Sequence, residues 1–167
     1  MQLIMVRHGK AESDAPTGRD GDRLLRSKGE QQARHVAESL AALPRPPVLI
    51  LSSGIVRAVQ TARILQQRIG CPLRIESALE TGAAPSGVAH LIDRERTREG
   101  GEFRDGPMVI VGHNPTFEEL AGLLTSGPAA PPVSMRTGEA LMLEVPEPPA
   151  ELVGACTLVE SIRLDDE

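Results

Sequence analysis

Three short apolar segments, each followed by polar turn residues and then a helical pattern, constrain the fold of this chain more than any other feature. The segments cover residues 3–6, 48–51 and 108–111. Short apolar runs bounded by turns are typical of buried strands, and their alternation with helical patterns is typical of parallel βαβ units. The sequence therefore predicts an α/β fold, a three-layer α/β/α sandwich around a mostly parallel sheet.

Helical spacing of apolar residues predicts four helices between and after these strands. The predicted ranges are about 27–43, 54–69, 86–98 and 115–123. A serine of Ser52-Ser53 can cap the second helix and Gly70 can end it, while Asn114 is the expected N-cap of the fourth, with Pro115 at its first position. Alternating stretches at 140–145 and 157–162 predict closing strands, which we expect to be antiparallel.

Composition favours one domain with an aliphatic core. The 167 residues include no Trp, no Tyr and only two Phe, whereas hydrophobic residues make up 40% of the chain. A chain of this length can bury a sufficient core without disulfides, so we expect a single domain over residues 1–167. The net charge of −5 and the scarcity of aromatic residues disfavour nucleic acid as a partner, because such proteins need positive charge or stacking side chains.

Cysteine and histidine usage predicts a reducing compartment and no metal or other cofactor. Cys71 and Cys156 are too few for a disulfide framework or a four-thiolate zinc site. The histidines show no spacing that presets a metal site. We find no basic and apolar leader pattern and no long apolar run, so we expect neither export nor a membrane partner. The cytoplasm is the predicted location.

Polar residues of one chemical kind follow the three predicted strands. They are Arg7-His8-Gly9, then Ser52-Ser53 with Arg57 one turn into its helix, then Gly112-His113-Asn114-Pro115. Because the carboxyl ends of parallel strands share one edge of a sheet, we expect these side chains to meet there. Helix N-termini at the same edge add backbone amides and positive dipole ends. The sequence therefore predicts an anion pocket.

Phosphate is the anion that best fits these side chains. The guanidinium groups of Arg7 and Arg57 can bind phosphoryl oxygens bidentately. A histidine whose ring nitrogen faces the phosphorus can act as a nucleophile and form a covalent phosphoenzyme. Glycine after His8 lets the backbone turn sharply or approach a ligand closely.

The same motifs resemble those of the histidine phosphatase superfamily, which also contains the cofactor-dependent phosphoglycerate mutases. The matching residues are Arg7-His8-Gly9, Ser52-Ser53 with Arg57-Ala58 and Gln60-Thr61-Ala62, and Gly112-His113-Asn114-Pro115. A further pattern is similar to the start of the first helix in the short branch of SixA-type phosphohistidine phosphatases. It consists of Arg23, Leu25, Gly29 and Gln32-Ala33. The motifs span residues 3–116, and the resemblance implies a phosphoglycerate mutase-like fold and phosphatase activity.

The resemblance also implies a role for each matching residue. His8 is the expected nucleophile that takes the phosphoryl group. Arg7 and Arg57 are expected to bind the phosphoryl oxygens, and His113 to stabilise the charge that develops on them. We add Gly9 and Asn114 to the predicted phosphate-binding set. Positioning and charge neutralisation are what phosphoryl transfer mainly requires.

The candidate general acid is Glu80. Many superfamily members that hydrolyse phosphate esters carry a glutamate soon after the second motif, because a departing alkoxide must be protonated. Glu80 directly follows Leu79, whereas the family pattern has one residue between the leucine and the acid, and Thr81 holds that position here. Imidazole leaves more easily than an alkoxide, so this departure favours a phosphohistidine substrate.

Three functions remain open from the sequence. The first is a phosphatase that acts on phosphohistidine of a protein through a covalent intermediate on His8. The second is a phosphomonoesterase for a small metabolite, with Glu80 as the acid, and the third is a catalytically silent phosphate-binding module. The interval 79–108 leaves no room for a large lid insertion, so the pocket is predicted to be open. The sequence assigns no oligomeric state.

Overall fold

The computed structural model describes residues 1–165, which form a six-stranded sheet and four α-helices. The strands are β1 (Gln2–Arg7), β2 (Leu49–Ser52), β3 (Leu73–Ile75), β4 (Met108–Gly112), β5 (Ala140–Glu144) and β6 (Thr157–Ile162). The helices are α1 (Ser27–Ala41), α2 (Val56–Ile69), α3 (Pro85–Thr97) and α4 (Thr116–Ser126). The predicted domain extends to residue 167, and its last two residues, Asp166 and Glu167, lie outside the described part of the chain.

The sheet is parallel at its centre and antiparallel at one side. Its strand order is β3-β2-β4-β1-β5-β6. The β2–β3, β2–β4 and β1–β4 pairs are parallel, and β5 pairs antiparallel with both β1 and β6. This arrangement confirms the predicted mostly parallel sheet with antiparallel closing strands. It also places the carboxyl ends of β1, β2 and β4 next to one another.

Helices cover both faces of the sheet, as predicted for a three-layer sandwich. Alternate side chains of β1 point to opposite faces, so that Leu3 and Met5 contribute to one apolar cluster and Ile4 and Val6 to the other. The first cluster includes buried residues of α3 and α4, and the second includes buried residues of α1 and α2. One sheet therefore supports two cores. Among residues 1–165, no helix has both the length and the hydropathy needed to cross a bilayer.

The start of α4 differs from its prediction. The helix begins at Thr116, with Pro115 at the N-cap position, and Asn114 makes no capping hydrogen bond. The Asn114 side-chain amide instead donates to the Met135 carbonyl oxygen at 2.9 Å. The predicted N-cap is therefore wrong: the Asn114 amide group is oriented by Met135, and its Oδ1 has no hydrogen-bond partner among residues 1–165. At α2, the Ser53 hydroxyl accepts from the Ile55 amide, one residue before the helix begins.

Candidate active site

The carboxyl ends of β1, β2 and β4 bring the sequence motifs together. Backbone hydrogen bonds continue past the strands, from the His8 amide to the Gly112 carbonyl at 3.2 Å and from the Ser53 amide to the Val111 carbonyl at 3.0 Å. These bonds fix the backbone on which His8, Ser53 and His113 are carried. The ring centroids of His8 and His113 are 5.2 Å apart. The predicted meeting of the two histidines is therefore present.

His8 presents an unprotonated ring nitrogen to Arg57. Its Nδ1 lies 2.8 Å from the Gly9 carbonyl oxygen, which can only accept, so the hydrogen-bond network assigns the proton to Nδ1. Its Nε2 accepts from Arg57 Nε at 3.3 Å. His8 is 7% exposed, and burial lowers its pKa to about 4. At neutral pH the imidazole is therefore uncharged, with a lone pair on Nε2.

His113 is held in place by Ser53. The His113 Nε2 atom lies 2.8 Å from Ser53 Oγ, while Nδ1 is buried and has no hydrogen-bond partner among the described residues. Burial lowers the pKa of His113 to about 3. A buried ring nitrogen without a partner costs about 1–3 kcal/mol. Such an atom is suited to meet a polar group of a ligand.

Arg57 directs its guanidinium group at the nucleophile candidate and at one loop residue. Besides donating through Nε to His8, it donates through Nη1 to the Asp20 carbonyl oxygen at 3.0 Å and through Nη2 to the Asp20 carboxylate at 3.2 Å. The side chain of Arg57 is buried. No sequence pattern indicates Asp20 as a site residue, because it lies in a short 3-10 turn, Asp20–Asp22, that has no apolar periodicity.

Arg7 and Asn114 donate hydrogen bonds to the same carbonyl oxygen, that of Met135. Arg7 Nη1 donates to the Met135 carbonyl oxygen at 3.1 Å, the atom that also accepts from the Asn114 amide. The Met135 amide donates to Glu118 Oε2 at 2.8 Å, which ties this loop to α4. Burial lowers the pKa of Arg7, and its Nε has no hydrogen-bond partner within residues 1–165. Met135, which no sequence motif indicates, thus positions two predicted site residues.

Gly9 is buried and contacts α2 and α1. Its amide donates to Thr61 Oγ1 at 3.1 Å, and that hydroxyl donates to the Arg57 carbonyl oxygen at 2.8 Å. A Cβ at Gly9 would lie 2.8 Å from the Gly29 Cα, closer than real side chains approach. The glycines therefore let α1 pack directly against the loop that carries His8.

Glu80 lies at the rim, close to Gly54. It is exposed, and a Cβ built on Gly54 would lie 3.6 Å from Glu80 Oε1. The carbonyl oxygen of the preceding Leu79 approaches Gly112 in the same way, at 3.4 Å from a Cβ built there. The segment that carries Glu80 therefore runs past the ends of β2 and β4. His35 and His90, which lie in α1 and α3, are not among the residues brought together here.

The assembled groups suit the transfer of an anionic group to nitrogen. A neutral imidazole supplies a nucleophilic lone pair, and two guanidinium groups supply positive charge beside it. Across residues 1–165, no three or more His, Cys, Asp or Glu side chains are grouped so as to hold a metal ion.

Comparisons with known proteins agree with this fold. The family model of the histidine phosphatase superfamily (branch 1) matches residues 3–81. An uncharacterized protein of Picosynechococcus sp. is 36% identical, with 76% of this chain and 74% of that protein aligned. Glucosyl-3-phosphoglycerate phosphatase of Mycobacterium tuberculosis is 36% identical, with 77% of each chain aligned. The structure of the protein histidine phosphatase SixA complexed with tungstate matches with a TM-score of 0.80 at 23% identity, covering 98% of this chain and 97% of that one.

The fold and these relatives together define this α/β protein as a phosphatase. The chain belongs to the histidine phosphatase superfamily. The predicted family is therefore confirmed, and so is its phosphoglycerate mutase-like fold in the short SixA form. At 23% identity the likeness to SixA concerns the fold alone.

Proposed function

We propose that this phosphatase works through a covalent phosphohistidine on His8 and that its substrate is phosphohistidine on a protein. The observation that carries the covalent step is the unprotonated Nε2 of a neutral, buried His8, 3.3 Å from Arg57 Nε. Attack on phosphorus needs this lone pair and needs positive charge beside it. Both groups lie side by side in the structure, and the lone pair becomes free when Arg57 Nε turns to the phosphoryl group.

The proposed reaction has two steps. In the first, Arg57 turns its Nε donor from His8 to the phosphoryl group, and the freed Nε2 lone pair of His8 forms a bond to phosphorus. The bond from phosphorus to the substrate nitrogen breaks with its electron pair on that nitrogen, and the substrate imidazole, which carries a proton on its other ring nitrogen, leaves as a neutral ring. Arg7 and Arg57 bind the phosphoryl oxygens, and His113 donates a hydrogen bond to one of them. In the second, water attacks phosphorus, the bond to Nε2 breaks, and phosphate leaves. The proton from water goes to solvent, and His8 returns to its starting form.

Phosphohistidine is the favoured substrate because its leaving group needs less protonation by a general acid than an alkoxide does. The imidazole nitrogen departs without the strong protonation that an alkoxide requires. Glu80, the candidate acid, is exposed at the rim and is not among the hydrogen-bonded site residues. The SixA-like fold without a large lid insertion also suits a phosphoryl group presented on a protein surface.

A small phosphate ester is the second candidate substrate. The observation in its favour is the 36% identity to glucosyl-3-phosphoglycerate phosphatase over 77% of both chains. Glu80 lies near Gly54 at the mouth of the site, where it could protonate a departing alkoxide. In this case Glu80 becomes a catalytic residue.

One set of assays tests these proposals. The wild type, His8→Ala, Glu80→Gln and the exposed-surface control Glu99→Gln are incubated with a phosphorylated histidine-containing carrier protein and with a panel of phosphate esters. We expect His8→Ala to lose at least about a thousandfold in rate on the carrier protein. Glu80→Gln and Glu99→Gln should keep the wild-type rate, and acid-labile, alkali-stable label should be trapped on His8.

The alternative outcomes identify the other functions. Strong ester hydrolysis that falls in Glu80→Gln but not in Glu99→Gln would support the small-molecule phosphatase. Equal turnover by His8→Ala would refute the covalent step. Phosphate binding without turnover of any substrate would support a silent binding module.

We propose that Arg7 and Arg57 supply the positive charge and that no metal is required, so EDTA should leave the rate unchanged. We further propose a cytoplasmic location, since Cys71 and Cys156 are both free and buried.

A further inference from the structure

Asp20 occupies the phosphate-binding side of Arg57. Both terminal nitrogens of the Arg57 guanidinium donate to this one residue, at 3.0 Å to its carbonyl oxygen and 3.2 Å to its carboxylate. The other carboxylate oxygen of Asp20 accepts from Arg23 Nε at 2.9 Å. The donors expected to bind phosphoryl oxygens thus already have an anionic partner.

The geometry of the turn places this carboxylate at the mouth of the site. The Asp20 side chain is 67% exposed, whereas that of Arg57 is 5% exposed. No residue of the turn Asp20–Asp22 is buried. The carboxylate therefore lies between solvent and the buried guanidinium, on the path of a substrate that reaches Arg57. The positive charges of Arg57 and Arg23 lower the pKa of Asp20, so that it stays ionised at neutral pH.

We propose that Asp20 determines substrate specificity by disfavouring phosphorylated molecules that carry a second anionic group next to the phosphate. This inference rests on the proposed use of the pocket for a phosphoryl group. Arg7 and Arg57 attract a phosphoryl group more strongly than one carboxylate repels it. A substrate carboxylate beside that phosphoryl group is also repelled by Asp20, but it has less positive charge near it to offset the repulsion. A neutral or cationic ring, such as imidazole, is not penalised. Asp20 thus favours phosphohistidine over phosphorylated acids.

The exposure of the Asp20 carboxylate determines how much it should change ligand affinity. One like charge about 6 Å away, in surroundings between water and protein, changes affinity by about threefold to tenfold. Removal of the Asp20 charge also frees Arg57, and that consequence is common to all phosphorylated ligands. The ratio between two ligands that differ in one carboxylate isolates the specificity effect.

The test compares 3-phosphoglycerate with glycerol 3-phosphate, in which a hydroxymethyl group replaces the carboxylate. Dissociation constants are measured by titration calorimetry in a His8→Asn background, which prevents turnover, with inorganic phosphate as the reference ligand. We expect Asp20→Asn to improve relative binding of 3-phosphoglycerate about threefold to tenfold, and Asp20→Glu to keep the original ratio. High salt should shrink the difference.

Asp22→Asn is the matched control, since it removes the same charge from the same turn. The Asp22 carboxylate contacts Thr17 Oγ1 at 2.7 Å and not Arg57. An equal change of ratio in Asp22→Asn, or an unchanged ratio in Asp20→Asn with phosphate still bound, would overturn the inference. Failure of every variant to bind inorganic phosphate would instead refute the phosphate pocket, and with it the proposed function.

Discussion

Two buried histidines make the stability of this protein depend on pH. His8 and His113 are 7% and 2% exposed, and burial is the largest cause of the lowered pKa of each ring. In the unfolded chain both rings regain ordinary pKa values near 6.5. Below that pH the unfolded state binds protons that the folded state rejects, until the pH approaches the folded values of about 4 and about 3. The free energy of unfolding must therefore fall as the pH falls through this window.

We expect His113→Gln to reduce this pH dependence. Each neutral buried histidine contributes a slope of up to about 1.4 kcal/mol per pH unit between pH 6.5 and its folded pKa. Loss of His113 should remove about that much slope, although the variant can be less stable at pH 7. Urea unfolding followed by far-UV circular dichroism at several pH values between 4.5 and 7 measures it. His90→Gln, on the exposed side of α3, controls for the loss of an imidazole outside the site. An unchanged slope in His113→Gln would contradict the assignment.

The site residues divide into those that the sequence indicates and those that it does not. Arg7 ends β1, and His8 and His113 directly follow β1 and β4, so the edge of the sheet alone brings them together. Asp20 and Met135 reach the site from loops, where no periodicity relates their positions to Arg57 or Arg7. Their contacts join residues 37 and 128 positions apart, and only the folded chain shows them.

At the scale of elements, α1 controls the loop that carries the nucleophile candidate. Gly29, in the first turn of α1, packs on the backbone of Lys10, and a Cβ there would lie 2.8 Å from the Lys10 nitrogen. A Cβ built on Gly9 would likewise lie 2.8 Å from the Gly29 Cα. Both partners are main chain, so neither can move aside as a flexible side chain would. The glycines therefore set the distance between the helix and the His8 loop.

Gly29→Ala is expected to destabilise the fold and to reduce activity. Overpacking against backbone costs about 1–3 kcal/mol, and the displaced loop moves His8 relative to Arg57. Gly87→Ala is the matched control, because Gly87 lies in α3 with no heavy atom within 4 Å of the added Cβ. That substitution should stabilise the protein by about 0.5–1 kcal/mol through helix propensity. Urea unfolding and the rate on the preferred substrate measure both effects. Wild-type stability of Gly29→Ala would refute the tight crossing.

The elements show where sequence patterns are reliable. β1, β2 and β4 lie within one residue of their predicted bounds, since continuous apolar runs are required wherever both faces of a strand are buried. The start of α4 was predicted from Asn114-Pro115, a local pattern. It was wrong because the Asn114 side chain is hydrogen-bonded to the Met135 carbonyl oxygen, a contact that the local pattern does not indicate. The 3-10 turn Asp20–Asp22 has no buried residue, so hydrophobic spacing cannot reveal it.

At the scale of the molecule, the two cores share one sheet. β1, β2 and β4 each contribute side chains to both apolar clusters. Loss of the helices on one face would therefore also destabilise the strands on which the other cluster packs. Each cluster contains one buried cysteine, Cys71 on the face of α1 and α2 and Cys156 on the face of α3 and α4. The two thiols are therefore natural probes of the separate faces. We propose that both faces belong to a single cooperative domain.

A single domain requires both thiols to become reactive together. Burial raises the pKa of Cys71 and raises that of Cys156 to about 11, so neither should react with iodoacetamide in the folded state at neutral pH. Pulsed alkylation across a urea series, with each peptide quantified by mass spectrometry, should give two coincident midpoints that match the circular dichroism transition. Modification of Cys71 at clearly lower urea than Cys156 would instead mean that α1 and α2 separate first. Because Gly9, which follows His8, packs on Gly29 of α1, activity would then be lost with the earlier transition.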